Sequence, residues 1–310
     1  MHAPERERER AYGSPLLRGG GGFILSIVPE EQRDTAIPGL REWLRNERRL
    51  GVPHWSVGRA EGGVADNPAP GPSGSRERAR PASLAVTPPL IREDSDLPPL
   101  CDRELSEAEA QQALAELDDA YVKGCTKCGL HASRKQTVFG VGCARPAIVF
   151  VGEGPGAEED HQGLPFVGRA GQLLTRMIAA MTLTRDQVYI GNIVKCRPPG
   201  NRTPTEDEAR ICLPYLYRQL AILRPRVIVA LGRPAAQALL QTNTPIGRLR
   251  GEFHDFPPLG LQHLGLPPAK VMPTFHPAYL LRSPGEKVKA WEDLKQVMRY
   301  LGIPIPRGHS

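Results

Sequence analysis

The sequence predicts an α/β domain built on a parallel sheet, preceded by a long low-complexity segment. Three observations carry this expectation. From Ser106 onward, short continuous apolar runs alternate with stretches of helical periodicity. Two capping-box signatures in that part, Ser106 with Glu109 and Thr205 with Glu208, mark helix starts. Before about residue 104 the composition is different, with the glycine run Gly19–Gly22 and a Pro, Gly, Ser, Arg and Glu mixture from Arg59 to Arg92.

The elements follow in order. A helix is expected from Ser106 to about Lys123. Ala147–Gly152 reads as a buried strand, Gly168–Met181 as a helix and Val188–Val194 as a second strand. The capping box at Thr205 opens a helix running to about Leu223. Arg226–Leu231 is a third strand, Pro234–Gln241 a helix, Lys270–Thr274 a fourth strand and Glu286–Leu301 a last helix. Strands that are apolar throughout imply a sheet covered on both faces. In such sheets the working loops lie at the carboxyl ends of the strands, here after Val151, Val194, Leu231 and Thr274.

Residues 1–104 lack enough apolar periodicity to offset their chain entropy and are expected to be a disordered basic extension; 105–310 form the domain. Two short exceptions are the apolar run Phe23–Val28 and a basic amphipathic stretch, Ile37–Leu50. A basic arm of this kind can add non-specific affinity for nucleic acid. The chain has 310 residues and a net charge of +6, which favours phosphate-bearing partners without naming one. No apolar run approaches the ~18 residues of a membrane helix. The start, Met1 to Pro4 and then alternating Glu and Arg to Arg10, is not expected to carry a secretory signal.

The expected compartment is therefore the reducing cytoplasm, where spaced cysteines bind metal or do redox chemistry more often than they form disulfides. Of six cysteines, Cys125 and Cys128 form a C-x2-C pair after the first helix. Cys196 follows the second strand and Cys212 lies about two turns into the helix opened at Thr205. Four such thiolates suit tetrahedral zinc or an iron–sulfur cluster; the C-x15-C second pair disfavours a zinc ribbon without excluding zinc. Cys101 and Cys143 read as spare thiols.

The strand-end loops hold the chemistry. Gly152-Glu153-Gly154-Pro155-Gly156 allows close backbone approach to a ligand, yet it is neither a Walker loop nor a dinucleotide fingerprint, so no nucleotide cofactor is expected. Pro165-Phe166-Val167-Gly168 places one aromatic ring before a helix. Asn192, beside the second strand end, offers a donor and an acceptor. His276 sits on a proline-stiffened turn after the fourth strand.

These segments, together with Asn192-Ile193-Val194-Lys195-Cys196-Arg197-Pro198-Pro199 and His276-Pro277-Ala278-Tyr279-Leu280-Leu281, closely resemble the family 4, iron–sulfur type of uracil-DNA glycosylase. The resemblance covers about Cys125 to Leu301. It implies a three-layer α/β/α sandwich with a central four-stranded parallel sheet. It also implies a [4Fe-4S] cluster on Cys125, Cys128, Cys196 and Cys212, and a monomer acting on uracil-containing DNA, single- or double-stranded. By the same resemblance Phe166 stacks on a flipped base, Asn192 reads its O4 and N3 edge, and main chain around Gly152, Glu153 and Gly154 contacts base and water. His276 points at O2. Leu280 or Leu281 wedges into the duplex and Arg282 holds a phosphate. Gly154 stands where better-known uracil glycosylases carry an Asp, so His276 and Glu153, the nearest acid, are the catalytic candidates, Glu153 acting as an acid, through its backbone or by ordering the loop. Two other functions compete: a uracil-DNA binding or crosslinking protein without turnover, and a zinc-stapled nucleic-acid-binding module. The crosslinking relatives carry an inserted basic, His-containing loop after the Asn strand; here Lys195 to Arg202 runs directly to the capping box.

Overall fold

A computed structural model describes residues 96–257 and 261–306. The extension up to residue 95, with its two short exceptions, lies outside the described residues. Four parallel strands form the centre: β2 (Ile148–Gly152), β3 (Tyr189–Asn192), β4 (Val227–Leu231) and β6 (Ala269–Thr274), side by side as β3-β2-β4-β6. Two short antiparallel strands add to the edges, β1 (Val141–Gly142) on β3 and β5 (His254–Phe256) on β6. The sheet therefore has six strands and is mixed, around the four-stranded parallel centre that the resemblance implies.

Successive strand residues point to opposite faces, and each face has its own core. From β2, Val149 and Val151 join one cluster, while Ile148 and Phe150 join the other. The first cluster packs α1 (Glu107–Leu117), α4 (Glu206–Leu223) and α5 (Arg233–Leu240) on the sheet. The second packs α3 (Arg169–Ala180) and α8 (Lys287–Leu301). The result is the three-layer α/β/α arrangement. Short helices α2 (Ala157–Gln162), α6 (Ile246–Leu249) and α7 (Pro277–Arg282) complete the connections. No helix among the described residues is long and apolar enough to cross a membrane.

Local chemistry starts the long helices as expected. Ser106 Oγ accepts from Glu109 N–H, and Ser106 N–H donates to Glu109 Oε2; Thr205 and Glu208 make the same reciprocal pair. The first helix ends differently from the expectation: α1 stops at Leu117 and Asp118–Val122 widen into a π turn that leads to Cys125. Contacts also begin before the capping box. Leu97 is buried in the first cluster and Pro98 O accepts from Arg218 Nε at 2.5 Å.

One buried ion pair anchors the end of β6. Asp293 on α8 accepts from Thr274 Oγ1 at 2.7 Å, from Arg250 Nη2 at 2.6 Å and from Arg250 Nε at 3.1 Å. The Arg250 guanidinium also lies over the Phe275 ring, 5.2 Å from its centroid. Removing one partner strands the other charge in the interior, which typically costs about 3–5 kcal/mol. Asp293→Ala is expected to lose stability of that order in urea denaturation, whereas the exposed pair Arg210–Asp207 should contribute less than about 1 kcal/mol.

Candidate functional site

The carboxyl ends of the parallel strands bring the expected side chains together. Gly152 ends β2 and pairs in register with Asn192, which ends β3. The chain then stays close: Ile193 N–H donates to Gly152 O at 3.0 Å and Val194 N–H to Glu153 O at 3.2 Å. Gly152 is required by this crowding, because a Cβ there would come within 2.5 Å of both Asn192 Oδ1 and the Phe166 ring. Phe166, on the segment between α2 and α3, holds φ 54°, a left-handed conformation uncommon for a bulky residue. Its ring centroid lies 5.7 Å from that of His276, with the planes tilted by 35°.

Asn192 is 1% exposed, and its Oδ1 has no hydrogen-bond partner among the described residues. A buried unpaired carbonyl is costly and points to a ligand that supplies a donor. His276 caps α7: its Nδ1 accepts from Ala278 N–H at 3.1 Å. In the neutral ring this leaves the proton on Nε2 as a donor. Burial first, and the nearby Arg282 second, hold the His276 pKa down to about 4, against a weaker pull from Glu159. The neutral ring is thus the form present at neutral pH.

The remaining predicted residues fall in three places. Glu153 is half-buried, and burial raises its carboxyl above the usual range while a hydrogen bond to Thr203 and the charge of Arg233 oppose this. Gly154 packs against Val194 of the loop after β3. Leu280 does not lie where a DNA wedge must: it is 1% exposed and belongs to the second core cluster. Helix α7 turns that side chain inward and leaves its neighbours Tyr279 exposed and Leu281 half-buried. Of the two wedge candidates Leu281 is thus the less buried, although it also packs against that cluster. Arg282 lies in the last turn of α7, near His276.

Cys125, Cys128, Cys196 and Cys212 line one cavity, and all are free thiols. Cys101 and Cys143 are not part of its lining. Three sulfurs already receive donors: Cys196 Sγ from Arg134 Nη1 at 3.1 Å, Cys212 Sγ from Lys195 N–H at 3.3 Å and Cys125 Sγ from Tyr215 Oη at 3.2 Å. Burial pushes the Cys212 thiol up to about 12, against the opposing charge and N–H of Lys195. Among the described residues no three Cys, His, Asp or Glu are gathered closely enough for a single ion.

Four functional neighbours escape a reading of residue types alone. Lys195 is buried, and its Nζ donates to Asn192 O at 2.9 Å and to Gln219 Oε1 at 2.6 Å. Gln219 Nε2 in turn donates to Phe139 O and to Tyr189 Oη. Glu159 accepts from Gly156, Val167 and Gly168 N–H, joining the glycine loop to the Phe166 segment. Arg185 donates to the carbonyls of Pro165 and Phe166. Only Glu159 carried a sequence signal, as an acid in the first turn of a helix that follows the glycine loop.

A family model described as the uracil DNA glycosylase superfamily matches residues 139–295. The chain is 43% identical over 194 residues to the type-4 uracil-DNA glycosylase of Thermotoga maritima, a match covering 62% of this chain and 96% of that protein. It is 42% identical over 199 residues to the type-4 uracil-DNA glycosylase of Archaeoglobus fulgidus, with 62% and 97% covered. The type-4 uracil-DNA glycosylase of Pyrobaculum aerophilum is 42% identical over 177 residues, with 56% and 87% covered.

Proposed function

Because this chain belongs to the uracil DNA glycosylase superfamily, we propose that it hydrolyses the N-glycosidic bond of deoxyuridine in DNA and releases free uracil, the first step of base excision repair. The observation that carries this activity to these residues is the unpaired, buried carbonyl of Asn192, which converges with the Phe166 ring over Gly152, while that ring in turn lies 5.7 Å from His276. Uracil offers an N3–H donor to that carbonyl and an O4 acceptor to the Asn192 amide. Cytosine reverses both, and would leave two buried groups mismatched.

A base in a duplex must leave the stack to reach such a site. Phe166 stacks on it, and main chain at Gly152, Glu153 and Gly154 lines its edge. As the bond from C1′ to N1 breaks, negative charge gathers on the uracil ring and positive charge on the sugar. The neutral His276 ring donates from Nε2 to O2, where that negative charge develops. Water then adds to C1′, its proton ending on the uracil anion or solvent. Glu153, held by Thr203 and Arg233, sets the loop that faces this water. Leu281 fills the gap left by the base, and Arg282 holds a backbone phosphate.

The donor set fits an iron–sulfur cluster: four cysteines line one cavity, and N–H and O–H groups already donate to three of their sulfurs. Cys125, Cys128, Cys196 and Cys212 would hold a [4Fe-4S] cluster. When bound, the cluster supplies a tie between the chain after α1, the loop after β3 and helix α4. The test of the function is a purified protein, without added metal or nucleotide, incubated with a uracil-containing oligonucleotide. Free uracil and an abasic strand are expected. A protein–DNA adduct that survives denaturing electrophoresis, or no product from either single- or double-stranded substrate, would remove the glycosylase assignment.

A further inference from the structure

Phe166 is held in a conformation that its own backbone disfavours, and one side chain outside the pocket does much of the holding. A bulky residue at φ 54° persists only where its surroundings over-determine it. On one side helix α3 presses against it: a Cβ on Gly171 would overlap the Phe166 main chain, so that helix position must be glycine. On the following residues Glu159 gathers the N–H groups of Val167 and Gly168, each at 2.9 Å. On the carbonyl side Arg185 reaches in from the short 3₁₀ turn Arg185–Gln187 before β3. Its Nη2 donates to Pro165 O at 2.8 Å, and its Nη1 to Phe166 O at 3.1 Å and Thr175 Oγ1 at 3.2 Å.

We propose that Arg185 is a positioning residue for base recognition: its planar fork locks the two carbonyls around Phe166 and so fixes the ring as a stacking platform beside His276. The proposal rests on the stacking role given to Phe166 above. Arg185 touches neither base nor sugar and acts only through Phe166. A guanidinium suits the task because one rigid group serves two adjacent carbonyls and a hydroxyl at once. A lysine ammonium on a flexible stem would not reproduce that planar arrangement. The turn that carries Arg185 is itself fixed, since Thr184 N–H donates to Gln187 Oε1 at 2.9 Å.

The test is a double-mutant cycle with full-length protein: wild type, Arg185→Ala, Phe166→Ala and the double variant. Single-turnover uracil release, the affinity for free uracil and the melting temperature are measured for each. Arg185→Ala is expected to slow release by about tenfold, the weight of one charge-assisted hydrogen bond. Adding it to Phe166→Ala should change nothing further, because the residue it positions is gone. Arg185→Lys should fold and recover only part of the rate. Wild-type release by Arg185→Ala, or losses that simply multiply in the double variant, would overturn the positioning role while leaving the glycosylase assignment standing. Wild-type release and uracil affinity in Phe166→Ala would remove the stacking role and the proposal with it.

Discussion

His276→Ala is expected to slow uracil release by about 10²–10³-fold, which is the usual consequence of deleting one pre-placed donor to a developing oxyanion. The loss should fall on the chemical step. The donor acts on charge that the ground-state base does not yet carry, so single-turnover rate drops while affinity for free uracil changes less. The fold should survive, because the ring is half-buried at a helix start and its main structural bond is the one Nδ1 accepts from Ala278. The pH behaviour follows from the same environment. The folded pKa of about 4 lies below the ordinary unfolded value near 6.5, so the ring stays neutral in the native protein across that interval. As pH falls from about 6.5 to about 4, the unfolded chain takes up a proton that the native one does not. Stability contributed by the neutral ring is thus complete above that window and declines within it. Imidazole NMR should show no titration step for His276 near pH 6.5. A step there, or a His276→Ala rate within a few-fold of wild type, would remove the O2 donor role.

The layers of the sheet were legible because the parallel strands are buried on both faces and so are apolar without interruption. Val227-Ile-Val-Ala-Leu231 is the plainest case. The edge strands Val141–Gly142 and His254–Phe256 were not legible, since two or three residues cannot display a period. At the candidate site, Gly152, Asn192 and His276 stood out in the sequence because they lie at strand ends, where such sheets place their working loops. Leu280 and Leu281 could not be told apart as wedge candidates. With α7 not expected as a helix, nothing in the sequence set the phase that buries Leu280 in the core and leaves Leu281 half-buried beside it. Lys195 and Arg185 were missed for a different reason. A basic side chain is normally exposed, and only the tertiary fold shows that one is sealed beside Gln219 and the other bent onto two carbonyls.

Cys196→Ser is expected to damage both the proposed cluster and the base pocket, and this distinguishes it from Cys128→Ser. Both variants should lose the absorption near ~400 nm that iron–sulfur ligation gives, and both should melt at lower temperature, because ligation to separate segments is folding free energy. Their positions differ. Cys128 belongs to the loop after α1, remote in sequence from the pocket strands. Cys196 follows Lys195 directly, and Lys195 joins the two sites: its N–H donates to Cys212 Sγ and its Nζ to Asn192 O. Slack at Cys196 therefore reaches the main chain that aims the Asn192 amide, whereas slack at Cys128 must first pass through the cavity. Below the melting temperature of each variant, and normalised to folded protein, Cys196→Ser should show the larger loss of uracil affinity and the larger rise in cytosine tolerance. Equal uracil affinity in the two variants would mean that the cluster holds the outer fold alone and leaves the pocket wall to the sheet.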